Sequence, residues 1–247
     1  EKNENKMQDL MIEMVGNASF SDKNRIKDML TFIASDNDKS VIQNGHVLAM
    51  SNAAAQINNI SSTNDIASGI NFITNTGALA REINNDLSLN KYLELLKNIK
   101  SKVDNQPIFT FTSSSLDMNQ TKLNFDFNSE NSSQMPQNYF DIQEASIGWI
   151  TGAQVSYCAE VFPTVDAFHE DAPALSVLGV VLRNGYLHSA IREKGGAYGA
   201  GAMQDSNNQV FKFFSYRDPK CTETFNEFKN SREWSLKGIS QNQLDEG

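Results

Sequence analysis

The sequence predicts an α+β fold, with helices packed on antiparallel or mixed sheets. Apolar residues recur at helical spacing through most of the first hundred positions. Later stretches alternate apolar and polar residues at period two, and the order there runs strand, helix, glycine loop, strand. At 247 residues, 39% of them hydrophobic, the chain can bury one large core or two of ordinary size.

The elements follow in order. Met7, Leu10, Met11 and Met14 fall at i, i+3, i+4, i+7, with Gly16 placed to end that helix. Ser21 is positioned to cap a second helix whose face is Ile26, Met29, Leu30 and Ile33. The alanine-rich stretch Val47 to Ile57 favours a third by propensity. Ser88 opens a fourth, striped by Leu89, Tyr92, Leu93, Leu96 and Ile99. Leu123, Phe125 and Phe127 then alternate with polar residues in a predicted strand, Lys122 to Asn128, and Phe109 and Phe111 supply its hairpin partner.

A boundary follows. Of 28 asparagines, 22 precede Asp141 and none lies between Asp141 and Arg183, so composition changes across the chain. The Ser-, Asn- and Gln-rich stretch Asn128 to Asn138 reads as a linker, dividing residues 1–138 from residues 139–247. Beyond it, Val155, Tyr157, Ala159 and Val161 mark a strand. Asp171 and Pro173 supply a cap and an N1 proline for a long helix, Ala174 to about Glu193. Its apolar circumference is broken by Asn184, His188 and Arg192 at i, i+4, i+8. Four glycines between Gly195 and Gly201 precede an aromatic-rich strand, Val210 to Tyr216.

Charge and composition exclude several classes. Lys plus Arg number 21 against 30 Asp plus Glu, a net charge of −9, with no basic block to neutralise a row of phosphates. No apolar run reaches the ~18–20 residues of a membrane span, so neither nucleic acid nor membrane is an expected partner. The start of the chain carries no signal-peptide apolar core. Cys158 and Cys221 are too few for a disulfide framework or a four-cysteine zinc site. His46, His169 and His188 form no paired-histidine metal motif, so no metal ligand is assigned in this chain.

The glycine loop admits two readings. Phosphate-binding glycines follow a strand and open a helix, whereas these follow a helix whose C-terminal end repels anions. A nucleotide-binding module is therefore the weakest option. Arg192 and Tyr198, six residues apart across a tight turn, are both hydrogen-bond donors able to hold a peptide carbonyl or the oxyanion it becomes. The alternative is structural, with Arg192 favouring a helix C-terminus, Gly195 ending the helix and Tyr198 packing in a core.

Leu182 to Gly199, and Ile191 to Gly199 most specifically, resembles the C-terminal half of pitrilysin/insulinase-clan zinc metallopeptidases, in the presequence-protease and falcilysin branch. The likeness is looser around Gly45-His46 and from Gly238-Ile239-Ser240 to Glu246. It implies a chambered peptidase of four homologous α+β domains of the LuxS/metallopeptidase type, in two hinged halves. Zinc then sits on an H-x-x-E-H helix of the N-terminal half, which is this chain's partner and is absent from it. The resemblance gives Arg192 and Tyr198 the role of hydrogen-bonding substrate near the scissile bond. Gly195, Gly196, Ala197 and Gly199 become the turn against which an unfolded peptide lies, adding as a strand to a sheet edge.

On this resemblance residues 1–138 hold the end of a third domain and residues 139–247 the first part of a fourth. The chain begins without Met and stops just after Ser240 caps a helix, so a fragment inactive alone is the expectation. An acidic chamber wall would suit cationic presequence-type peptides, and the compartment implied is an organelle lumen, mitochondrial or plastid. Members of the clan that lose zinc persist as non-catalytic assembly subunits, which is the alternative function.

Overall fold

The structure, a computed structural model, describes residues 4–104 and 145–245. The strand predicted at Lys122–Asn128, its partner at Phe109 and Phe111, and the linker Asn128–Asn138 lie outside the described residues. What is described is mixed α and β, as expected, and divides into two compact units. No helix among the described residues is long and apolar enough to cross a membrane.

The first unit holds α1 (Glu4–Gly16), the opening turns of α2 (Lys23–Ala55), the end of α4 (Ile70–Glu82) and α5 (Asp86–Asp104). Its core is Leu30, Ile83, Leu89 and Leu93, flanked by Phe20, Ile26, Leu79, Ala80 and Tyr92. The predicted caps are corrected here. Asp22, not Ser21, opens α2, its carboxylate taking the Arg25 N–H at 2.9 Å. Asn85, not Ser88, caps α5 by accepting from Leu87 N–H at 2.8 Å. The residue just before the first turn is the one whose side-chain oxygen reaches its free N–H groups. The stripe Met7, Leu10, Met11 and Met14 of α1 is exposed rather than buried.

The second unit contains the rest. The second and third predicted helices are one element, α2, kinked at Asn44 (φ −113°, ψ 15°). Beyond it lie α3 (Asn59–Ser68) and the start of α4, neither of which the sequence pattern revealed. A polar network holds these three together. Asp65, fully buried, accepts from Asn52 Nδ2 at 3.1 Å, from the Ile70 N–H at 3.2 Å, and from Asn71 Nδ2. Asn52 in turn accepts from the Trp149 indole at 2.9 Å. A buried carboxylate is tolerable only when its oxygens are satisfied in this way.

The sheet of this unit has the order β1-β3-β2, with β1 (Ala159–Pro163) and β2 (Gly199–Asp205) antiparallel to β3 (Val210–Tyr216). The strand expected from Val155 starts later, at Ala159, and the chain before it meets the sheet through a bridge from Ser156 to Asp218 and the Ser215 N–H bond to the Cys158 carbonyl. Half of the expected glycine loop is strand, since Gly199 and Gly201 belong to β2. Period two divides the faces. Cys158, Ala200, Ala202, Phe211 and Phe213 pack with Leu182, Leu187, Ile191 and Phe228 from the covering helices. On the opposite face the rings of Phe214 and Tyr216 meet His46 of α2, at 5.8 and 4.5 Å between centroids.

The covering helices are α6 (Ala172–Leu182), its π-helical continuation Arg183–Glu193, and α7 (Thr222–Leu236), with the short α8 (Gln241–Asp245) last. The expected cap at Asp171 is not made: its side chain bonds no helix N–H, and its own N–H goes to His169 Nδ1 at 3.1 Å. Ser240 does precede the last helix, its N–H donating to Gln243 Oε1 at 2.8 Å. Gly179 lets α6 close on β2, because a Cβ there would lie 3.0 Å from the Ala202 carbonyl oxygen.

The β2–β3 turn is held by Asp205, which accepts from the Asn208 N–H at 3.1 Å, Asn208 Nδ2 at 2.7 Å and the Lys212 ammonium. Burial pushes the Asp205 carboxyl up, but Lys212 and Asn208 outweigh it and hold it below the ordinary carboxylate range. Its stabilisation is therefore complete above the unfolded value of ~3.9 and disappears as pH falls through the lower folded value. Asp205→Asn should cost about 1 kcal/mol near neutral pH and flatten the acid limb of stability, read by urea denaturation from pH 7 to pH 2.

Candidate functional site

The site expected from sequence lies where the π-helical segment turns into β2. The chain widens after Leu182, so that the Lys194 N–H reaches the Ser189 carbonyl at 3.1 Å, five residues back. The turn itself is built on its glycines. A Cβ on Gly195 would collide with the Ile191 carbonyl, and Gly196 takes φ +88°, a region costly to any residue with a side chain. The Gly196 N–H donates to Arg192 at 3.0 Å and the Ala197 N–H to Ile191 at 3.1 Å, closing the helix end. Ala197 then drops into the core, 4% exposed, and its methyl belongs to packing.

Arg192 and Tyr198 stand on either side of that turn, both exposed. Their side chains engage different neighbours. The Arg192 guanidinium donates from Nη1 to His188 Nε2 at 3.2 Å, and His188 Nδ1 lies 3.6 Å from Glu193 Oε1. Because arginine only donates, His188 Nε2 accepts and the Nδ1 proton faces the carboxylate. The helical stripe read from sequence is thus a contact, with Asn184 one turn earlier.

The Tyr198 ring sits edge-on to Tyr216 at 5.6 Å, and its backbone N–H is shared by the carbonyls of Tyr216 at 3.0 Å and Arg217 at 3.3 Å. Tyr216 also packs on Tyr157 at 5.9 Å, and the Arg217 guanidinium lies over it at 5.3 Å. Arg217 holds φ +49°, an unusual conformation for a residue with a side chain. Burial alone holds the His46 imidazole below its ordinary value, favouring the neutral ring against Tyr216. Sequence reasoning did not bring Tyr157, Tyr216 and Arg217 to the site, though it placed Tyr157 and Tyr216 in predicted strands.

Chemically the arrangement offers a guanidinium and a phenol, both donors, beside a strand of small residues. A Cβ on Gly199 would meet nothing within 4 Å, so this end of β2 is open beside Tyr198. Among the described residues no cluster of three His, Cys, Asp or Glu side chains could hold an ion. His169 pairs with Asp171 at 3.7 Å, His188 with Arg192, and His46 with aromatic rings.

Comparison with known proteins now bears on this geometry. Residues 1–79 match a family described as peptidase associated, and residues 150–246 match the PreP C-terminal domain. The second match contains the π-helical segment, the glycine turn, β2 and β3 in one span. Over these spans the chain is similar to presequence proteases. The mitochondrial presequence protease of Drosophila melanogaster is 30% identical over 241 residues, covering 95% of this chain and 23% of that protein. That of Yarrowia lipolytica is 29% identical over 245 residues, covering 96% of this chain and 25% of the relative. In Danio rerio the identity rises to 41% over 93 residues, 37% of this chain. The chain thus spans about a quarter of the length of the curated relatives it matches over nearly its whole extent. The relatives are, by their names, proteases.

Proposed function

We propose that this chain is the substrate-positioning part of a zinc metalloendopeptidase that degrades unfolded, presequence-type peptides in a closing chamber. Arg192 and Tyr198 hydrogen-bond the backbone of the bound peptide and the oxyanion that forms during its hydrolysis. The metal belongs to a part of the protein outside this chain, and no step through it is assigned to these residues. The match of residues 150–246 to the PreP C-terminal domain carries the reading, because that span holds both donors and the turn between them.

The peptide lies extended along the open Gly199 end of β2, where main-chain recognition tolerates many sequences. Gly195 and Gly196 shape the turn from within, while Gly199 leaves room for the peptide. Residues 1–138 and 139–247 are read as parts of the third and fourth repeated domains of such an enzyme. The names of the relatives place them in mitochondria, and an organelle lumen is proposed for this protein too.

The test compares two preparations on an unfolded cationic peptide. The full-length protein should cleave it and lose the activity on zinc removal, recovering when zinc returns. The 247-residue chain alone should show no hydrolysis. Zinc-dependent cleavage by the chain alone would overturn the division of roles.

A further inference from the structure

The only two cysteines of the chain, Cys158 and Cys221, are brought together by the fold. Cys158 is buried immediately before β1, and Cys221 is exposed at the position preceding α7. The register explains the meeting. The Ser215 N–H donates to the Cys158 carbonyl at 2.9 Å, and Ser156 and Asp218 exchange N–H bonds of 2.7 and 2.9 Å. Past that bridge the chain folds back on itself, with the Lys220 N–H on Asp218 Oδ1 at 2.9 Å and the Thr224 hydroxyl on Oδ2 at 2.7 Å.

This reversal sets the Lys220 carbonyl 3.9 Å from Cys158 Sγ, and Cys221 is the next residue. The neighbouring Cys221 thiol is among the groups that raise the Cys158 thiol. Cys221 occupies a helix-capping position, where Ser, Thr, Asp and Asn are usual, yet its side chain caps nothing. The residue is exposed.

We propose that Cys158 and Cys221 are a paired oxidation site, closed to a disulfide by low-molecular-weight disulfides that arrive at the exposed Cys221. In the first step the Cys221 thiolate attacks one sulfur of the oxidant, breaking its S–S bond and releasing one thiol. Cys158 then gives up its proton and attacks the Cys221 sulfur, forming the internal bond and releasing the second thiol. Two protein thiols are oxidised and one small disulfide is reduced to two thiols, so hydrogens and electrons balance. Burial pushes the Cys158 thiol up to about 12, which makes the second step the slower one and accelerates it as pH rises. The bond would tie the entry of β1 to the start of α7. Nothing in this site depends on a peptidase role.

The experiment treats the folded 247-residue chain with oxidised glutathione and follows intact mass and tryptic maps. The expected product has lost the mass of two hydrogens, carries no glutathione, and links the Cys158 and Cys221 peptides within one chain. Cys158→Ala should stop at a glutathione adduct on Cys221, and Cys221→Ser should leave a Cys158 thiol unreactive until the protein is denatured. The wild-type map stands without either variant, should one fail to fold. A wild-type product that remains a Cys221 adduct with Cys158 free at pH 8.5, or that links two chains, would overturn the proposal.

Discussion

Arg192→Ala or Tyr198→Phe, introduced into the full-length protein, should lower kcat/KM for peptide hydrolysis by ~10²–10³ while zinc content stays unchanged. The size follows from the position claimed for these donors. A hydrogen bond that strengthens as the carbonyl becomes an oxyanion stabilises the transition state more than the bound peptide, so its loss falls on the chemical step. Stability should barely move, which separates this effect from misfolding. Tyr198 is 67% exposed, and Phe would keep its edge-on contact with Tyr216 while removing only the hydroxyl. Arg192 is exposed and among the described residues its side chain bonds His188, so truncation leaves no described buried group unsatisfied. Thermal denaturation of each variant beside its kinetics checks the separation.

The largest stability effect should come from Phe228→Ala. Phe228 is 0% exposed, with its ring 5.7 Å from Phe213 and 5.8 Å from Phe225. It fills the layer shared by the sheet, the π-helical segment and α7, packed among apolar side chains. Truncating a buried phenylalanine costs ~3–5 kcal/mol, and a unit of this size should melt roughly 10 °C lower. Since Leu187 and Ile191 rest in the same cluster, the π-helical segment that carries Arg192 loses its support. The variant should therefore also bind peptide less well. Calorimetry of the 247-residue chain reads the stability term.

Much of this was legible where one physical signal dominated. β3 was visible because it is rich in aromatic residues, and Phe211 and Phe213 are indeed buried. The glycine turn was visible because so few residues tolerate its backbone, and Gly196 at φ +88° bears that out. β2 was hidden, since Gly-Ala-Gly-Ala has no strand preference of its own and is a strand only through pairing with β3. The helices α3 and α4 were hidden for a different reason. Their buried interior includes Asp65 and Thr76, which hydropathy periodicity reads as solvent-facing. The same holds for α7, whose inner face is Thr224, Phe228 and Ser231, one apolar side chain in three.

The candidate site was half legible. Arg192 and Tyr198 stand at the turn as expected, but the aromatic support of Tyr198 comes from residues 18 and 41 positions away, Tyr216 and Tyr157. Separation of that kind leaves no local pattern in a single sequence. Asp171 shows the converse, a capping residue in the right place whose helix N–H groups find no use for it.

The central claim is that Arg192 and Tyr198 act on the peptide in the transition state. Single-turnover cleavage of an unfolded peptide by the zinc-loaded full-length protein, with enzyme saturating, isolates the chemical step from binding. The account predicts a single-turnover rate ~10²–10³ lower for each variant, with zinc stoichiometry equal to that of the unaltered protein. An unchanged single-turnover rate in both variants would contradict it.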